Sequence, residues 1–467
     1  MANVDYQNSF ILILLVCLFS TFFFLFVYFF KKPNNVSDLP PSPPSFPIIG
    51  HLHLFFSTSL HKSFQNLASK YGPFLHLRVF SLPFVLVSSA SITYKIFKDH
   101  DVNISSHGPV GLDDCLVFGS SGFITAPYGD YWKFMKKLMT ISVLGHQAMQ
   151  RSQGVRVVEV ERFYRNLFDK AMKKESVEIG EEATGLVMSI LGKMCMGRCF
   201  SEDNNEEKVS KINAEFAALT QKIFLARMLC TPLEKIGISP FKKEVMDASN
   251  RYEELLESII VKYEEKVDEN DGNEGMDILL AACRGENAEC KITRKNLKAL
   301  LAELFFGAGD TSSTTTRWAM AEIINNPMIF ERLREEIDSV VGKTRLIQET
   351  DLPKLPYLEA VIKESLRLHP PGVLLPRQFE QGCKIRGFYI PKGTTLVINA
   401  YAVMRDPDAW KDPDEFKPER FLGQEEEKKE NVLKFLPFGA GRRGCPGSNL
   451  SYIFIGTAIG VMEQCFD

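Results

Sequence analysis

The sequence predicts a mainly α-helical protein with a small β region, preceded by one N-terminal transmembrane helix. Three observations lead there. From Phe10 to Phe30 only Ser20 and Thr21 interrupt an apolar run, and its length matches the ~20 residues a bilayer-spanning helix needs. Helical periodicity dominates the remainder, at about 91–99, 130–144, 156–173, 249–268, 293–325 and 357–368. β-Branched and aromatic runs are confined to about 70–89, 384–390 and 395–400.

Each element has a local cause. Lys31 and Lys32 close the apolar run, whereas the first nine residues carry Asp5 and no Lys or Arg. The positive-inside rule therefore leaves the N-terminus luminal and the body cytosolic. A cleaved signal peptide would have a shorter apolar core and a small-residue cleavage site. A buried core helix would suit a more central place and a less uniform run. Pro40-Pro41-Ser42-Pro43-Pro44 follows, and proline removes donors and fixes φ, so this reads as a semi-rigid spacer. The expected organisation is an anchor over 1–32, a proline-rich hinge over 33–50 and one catalytic body over 51–467. The sequons at Asn35, Asn103 and Asn449 stay unmodified in that topology. No proline interrupts 293–325 and Pro327 ends it, which predicts an unusually long central helix.

The 55 basic and 58 acidic residues leave a net charge of −3, which offers no global basic footprint for nucleic acid. Ten cysteines show no disulfide-framework spacing, so a reducing compartment is expected. Cys195 and Cys199, four apart, read as one face of a buried helix. Abundant phenylalanine suits a large apolar core or pocket.

The chemistry concentrates in Phe438-Gly439-Ala440-Gly441-Arg442-Arg443-Gly444-Cys445-Pro446-Gly447, just ahead of an apolar segment that reads as a helix from near Leu450. Unpaired N–H groups at a helix N-terminus favour a thiolate. Glycines 441, 444 and 447 permit tight turning and close approach to a flat ligand. Arg443 is a permanent cation suited to a carboxylate. Together these describe a socket for haem iron and its propionates. A lone cysteine is ordinarily a small buried hydrophobe, and zinc or iron–sulfur binding would need partners that Cys445 lacks. Five matches to F-x-x-G-x-R-x-C-x-G within ten residues outweigh both readings.

Elsewhere, Gly307-Ala308-Gly309-Asp310-Thr311-Ser312 places two glycines, an acid and hydroxyls in the long helix. Glycines there signal tight contact or a local kink, and Asp310 with Thr311 could relay protons. Glu364 and Arg367, three apart, share a helix face; alone they would be a surface ion pair of small worth.

The cysteine loop closely resembles the haem-ligand loop of the cytochromes P-450, plant microsomal type, and the resemblance extends over residues 10–467. The segments Ser37–His53, Lys62–Lys70 and Ala126–Lys137 are similar to a crucifer group that includes thalianol hydroxylase. The resemblance implies the cytochrome P-450 fold and haem b with Cys445 as axial thiolate, with Phe438 and Gly447 completing the loop. It implies proton delivery by Asp310 and Thr311, and contacts from Trp132, Lys136, Arg377 and Arg443 to the haem. It also implies a structural network of Glu364, Arg367 and Arg420. Three positions depart from the pattern: Lys136 replaces an arginine, His107 stands near another, and Ala308 replaces the commoner glycine.

By resemblance the protein is an endoplasmic reticulum, single-pass monooxygenase with a cytosolic catalytic domain, taking O2, a lipophilic small molecule of triterpenoid or other secondary-metabolite type, and electrons from an NADPH–cytochrome reductase. The lysines 133, 136 and 137 form a basic patch suited to that acidic partner. A haem-thiolate hydroperoxide isomerase or lyase is the alternative chemistry, though such relatives usually lack the helix threonine. The family's terminal β-hairpin is expected to be absent after Asp467, which would suit a truncated, catalytically impaired haem-binding isoform.

Overall fold

The β-branched runs pair into a four-stranded sheet and a separate hairpin. Strands β1 (Phe74–Val79), β2 (Leu82–Val87), β3 (Leu375–Gln378), β4 (Cys383–Ile385), β5 (Phe388–Ile390) and β6 (Thr395–Ile398) order as β1-β2-β6-β3, with β4-β5 apart. β1 and β2 are antiparallel, with Phe74 opposite Val87, and β2 runs parallel to β6. Both faces of the sheet are covered: Val85, Val87, Leu396 and Ile398 pack with Ile96 and Phe97, while Leu75, Leu77, Leu86 and Val397 pack with Phe55 and Phe64. Double-sided burial explains why Val85-Leu86-Val87 is continuously apolar rather than alternating.

The computed structural model describes residues 13–23, 39–108, 119–234, 241–266, 274–285, 292–423 and 433–466. Lys31, Lys32, Asn35 and the charged stretch 424–430 lie outside the described residues, as does most of the apolar run outside 13–23. Residues 13–23 are helical and exposed. Among the described residues no helix is long and apolar enough to cross a membrane.

Helices that position the site are α1 (Ala90–His100), α2 (Asp130–Met139), α3 (Gln153–Met172), α4 (Ile179–Met196), α5 (Arg294–Asn325), α6 (Pro356–Leu368) and α7 (Ser448–Cys465). The long helix α5 starts where Thr293 and Asn296 form a reciprocal capping box and stops one residue before Pro327. It packs on α4 and α7, and its two adjacent glycines differ. A Cβ on Gly309 would meet the terminal methyl of Met188 of α4, which would have to swing aside; a Cβ on Gly307 would meet nothing within 4 Å.

Two expectations are corrected. Cys195 and Cys199 do not share a helix, because α4 ends at Met196 and Gly197 turns at φ 65° before a short 3₁₀ segment. The helix foreseen over 130–144 is α-helical only to Met139 and continues as a π-turn over Thr140–Leu144. Part of the proline-rich segment is tied to the body: His76 N donates to Pro41 O at 2.8 Å. His51 Nδ1 accepts from Arg78 N at 2.9 Å, so its Nε2 carries the proton facing Pro43 O at 3.0 Å.

Candidate functional site

A cavity of about 370 Å³ opens between α5, the cysteine loop and β3, with Cys445, Phe438, Gly447, Thr311, Arg377, Arg443 and His107 in its wall. Its surface is chiefly apolar, contributed by Leu304, Leu366, Leu375, Leu450 and Phe454 among others, as a lipophilic occupant requires.

The cysteine loop is shaped by backbone geometry. Gly439 and Gly441 adopt φ near +68° and +69°, a region side chains disfavour; the turning glycines are therefore 439 and 441, not 444 and 447. A Cβ on Gly441 would also collide with Asp101 Oδ1 at the end of α1. Asp101 accepts from Arg442 N at 3.2 Å and from its guanidinium at 2.5 Å, tying the loop to α1. Cys445 N donates to Phe438 O at 2.8 Å, and the Phe438 ring packs against Tyr452 of α7 at 5.4 Å.

Cys445 is accessible to the cavity. Without a metal, burial pushes its thiol up, and the Gly447 N–H offsets this only in part. α7 begins at Ser448, with Gly447 as its cap and Pro446 outside its first turn, and dipole effects fade beyond that turn. The thiolate needs a cation, which a metal bound at Sγ would supply.

Beside the cavity lie two cations, one buried and one half-buried, and one unpartnered donor; Arg443 donates to the carbonyls of Ser105, Phe123, Ile124 and Ala126. Trp132 Nε1 is buried without a hydrogen-bond partner, and the Arg443 guanidinium stands 4.6 Å from the Trp132 ring centre. Arg377 is 4% exposed. Burial and then the Arg443 charge lower it to about 10, and burial lowers Arg443 to about 10 as well. Two desolvated guanidiniums and an orphaned indole N–H fit a ligand carrying carboxylates. With Cys445 beside them, the residues present fit haem with its propionates.

The remaining expected residues are placed differently. Lys136 is half-buried; its ammonium lies 5.2 Å from the Trp132 ring centre and donates to Arg442 O at 3.2 Å. His107 Nδ1 lies 3.0 Å from Pro376 O and 3.4 Å from Arg377 Nη1. Thr311 lines the cavity and its hydroxyl donates back to Gly307 O at 2.7 Å, the local alternative available to helix threonines. Asp310 is exposed and outside the cavity wall. Phe305 and Phe216 belong to the core: Phe305 stacks on Phe200 at 5.2 Å, and Phe216 packs on Tyr252 at 5.9 Å.

The Glu364 network is closed. Arg367 and Glu364 are both fully buried and paired through two bonds of 2.7 and 2.8 Å. Arg420 Nε adds a 3.0 Å bond to Glu364. Arg367 spends its other donors on the Met404, Pro413 and Glu415 carbonyls.

One residue the motifs missed is Glu303. It is 5% exposed in the cavity wall, and its two oxygens accept from Phe123 N at 2.6 Å and Ile124 N at 2.8 Å. Burial pushes its carboxyl up to about 8, against the pull of those two N–H groups and Arg443. The available signal was a lone charge inside the apolar run 299–308.

Comparison with known proteins agrees with this geometry. The family model for Cytochrome P450 matches residues 40–467. Cytochrome P450 705A1 of Arabidopsis thaliana is 63% identical over 99% of this chain and 91% of its own length. Cytochrome P450 705A22 of the same plant is 60% identical, covering 100% and 92%. The 3,9-dihydroxypterocarpan 6A-monooxygenase of Glycine max is 36% identical, covering 97% and 91%. A zebra fish cytochrome P450 structure with progesterone superposes with a TM-score of 0.74 at 24% identity, covering 87% of this chain and 92% of that one, a likeness of fold.

Proposed function

The chain belongs to the cytochrome P450 family, and from that premise we propose that it is a membrane-anchored monooxygenase hydroxylating a lipophilic plant specialised metabolite of triterpenoid or similar polycyclic type. As a cytochrome P450 monooxygenase it uses haem with a cysteine thiolate axial ligand, O2, a redox partner and a small-molecule substrate. The observation that carries the reading is the meeting of Cys445, Thr311, Arg377 and Arg443 around one largely apolar cavity. The bound haem supplies the oxygen-activating and electron-accepting chemistry.

The chain's own residues do the rest. Cys445 would hold the haem iron through Sγ. Arg377 and Trp132 Nε1 would orient the haem through its carboxylates, Trp132 Nε1 gaining the acceptor it lacks, and the Arg443 charge would favour those carboxylates nearby. Lys136 stays on the outer face of the loop, where with Lys133 and Lys137 it supports docking of an acidic NADPH–cytochrome reductase. Thr311 holds a hydroxyl at the cavity edge, and by turning from Gly307 O it passes a proton inward; Asp310, at the solvent side, resupplies it. The apolar wall excludes bulk water from that exchange.

The Glycine max relative is named for action on a dihydroxypterocarpan, which supports a polycyclic lipophilic substrate here. Thr311 in the wall favours the monooxygenase over a hydroperoxide isomerase. The anchor over 1–32, the hinge over 33–50 and the endoplasmic reticulum orientation rest on the apolar run, Lys31 and Lys32. The test is expression in microsomes with a plant reductase. The reduced, CO-bound protein is expected to show the thiolate-type Soret band, and product is expected to form only with NADPH. A missing band in folded protein overturns the haem-thiolate assignment.

A further inference from the structure

Residues 119–126 form a strap across the cavity, and three groups from elsewhere in the chain hold it. Ser121 O accepts from Tyr131 Oη at 2.5 Å, and Asn296 Nδ2 supports that hydroxyl at 2.8 Å. Glu303 takes the amides of Phe123 and Ile124 with one oxygen each. Arg443 takes carbonyls of the same short segment: Phe123 O at 3.1 Å, Ile124 O at 3.3 Å, and Ala126 O. Asn296 and Glu303 lie seven apart on α5, two turns along one face, so the helix presents both to the strap.

Two consequences follow from this arrangement. Phe123 and Ile124 line the cavity, so the position of their backbone sets where that wall stands. The Phe123 amide is buried, where an unmet N–H is costly, and the Ile124 amide beside it is partly buried. Glu303 is the group that meets both, and its length and fork geometry suit two adjacent N–H groups. The Phe123 ring also stacks on Trp132 at 5.2 Å, so the strap passes from substrate wall to propionate side within four residues.

We propose that Glu303 is a positioning residue that fixes the 123–124 wall of the cavity and thereby sets which bulky ligands it admits, without itself touching the haem. This rests on the haem-thiolate reading. Glu303→Gln keeps one acceptor but turns an N–H₂ group against the second amide, so the wall shifts while the side-chain volume is retained. Glu303→Asp keeps both acceptors on a shorter stem.

The experiment uses two azoles on the haem-loaded full chain, read from the Soret shift. Imidazole needs only the iron position; clotrimazole is bulky and must also fit the wall. Wild-type protein that gives no Soret shift with imidazole defeats the haem reading itself, separately from this proposal. In Glu303→Gln, clotrimazole affinity is expected to change at least about tenfold, the scale of one buried hydrogen bond. Imidazole affinity is expected to stay within about twofold, and Glu303→Asp should recover part of the clotrimazole change. Equal changes for both azoles would overturn the proposal, since they would place the effect on the cysteine loop. Unchanged clotrimazole binding in Glu303→Gln would overturn it too, as would loss of haem in both variants, which would mark Glu303 as a residue of folding alone.

Discussion

Two buried polar clusters, one on each side of the cysteine loop, are built in opposite ways. Around Glu364 every strong group is answered within the chain: Arg367 is fully buried and carries bonds to one carboxylate and three carbonyls. Around Arg377 the balance is more open: its desolvated guanidinium has one bond of 2.8 Å, to Pro376 O, beside two contacts of 3.4 Å. The Trp132 indole N–H is buried without a partner, and burial raises the Cys445 thiol, although Arg443 itself is answered by carbonyls. A closed cluster holds the fold together by itself, whereas an open one leaves its donors for a ligand. The contrast separates structural charge from functional charge, which burial alone does not.

The sharpest break is at the sulfur. Cys445→Ser removes the one soft ligand of the open cluster, and the thiolate-type Soret band of the CO complex should vanish while far-UV circular dichroism stays native. Next, Arg367→Ala in the closed cluster strands the Glu364 carboxylate and should cost roughly 3–5 kcal/mol in urea unfolding. Thr311→Val leaves both clusters intact; the CO spectrum should be unchanged, with product per NADPH falling by up to about 100-fold.

The contrast predicts opposite signs for like substitutions. Arg377→Leu removes a buried cation that the apoprotein only partly satisfies. Apoprotein stability should therefore change by less than about 1 kcal/mol, yet haem transfer to apomyoglobin should quicken by about tenfold. A large loss of apoprotein stability would show that the Arg377 cluster is closed after all.

The smallest effect is in pH. Glu303 is raised from its ordinary value to about 8, so the folded protein binds its proton more tightly than the unfolded chain. That contribution is complete below the unfolded value near 4.5 and is lost as pH rises toward 8. Glu463, raised to about 7, acts in the same direction, and His76, lowered to about 4, acts in the opposite one below 6.5. Between pH 6.5 and 8, urea midpoints should fall in the wild type and fall less in Glu303→Gln, a difference of about 1 kcal/mol. Parallel curves would remove Glu303 from the titrating groups.

Much of this was legible wherever neighbours in sequence are neighbours in space. Proline stops and the apolar run located α5, and the spacing of three paired Glu364 with Arg367. Less legible were features decided across long separations. The Arg442 carbonyl that Lys136 meets lies some 306 positions away. The Phe200 ring that covers Phe305 lies about 105 positions away. Gly307 and Gly309 look alike in sequence, and only the second has a Met188 methyl beside it.

By itself the sequence determined the family, the metal ligand and the chemistry of the cysteine loop, because residue type and short spacing fix local geometry and the set of available donors. Only the tertiary structure decided which donors are satisfied. Glu303 meets amides some 180 positions away, and Arg443 meets carbonyls about 320 positions away. Hydrogen-bond saturation is a property of packed neighbours, and no periodicity along the chain encodes it.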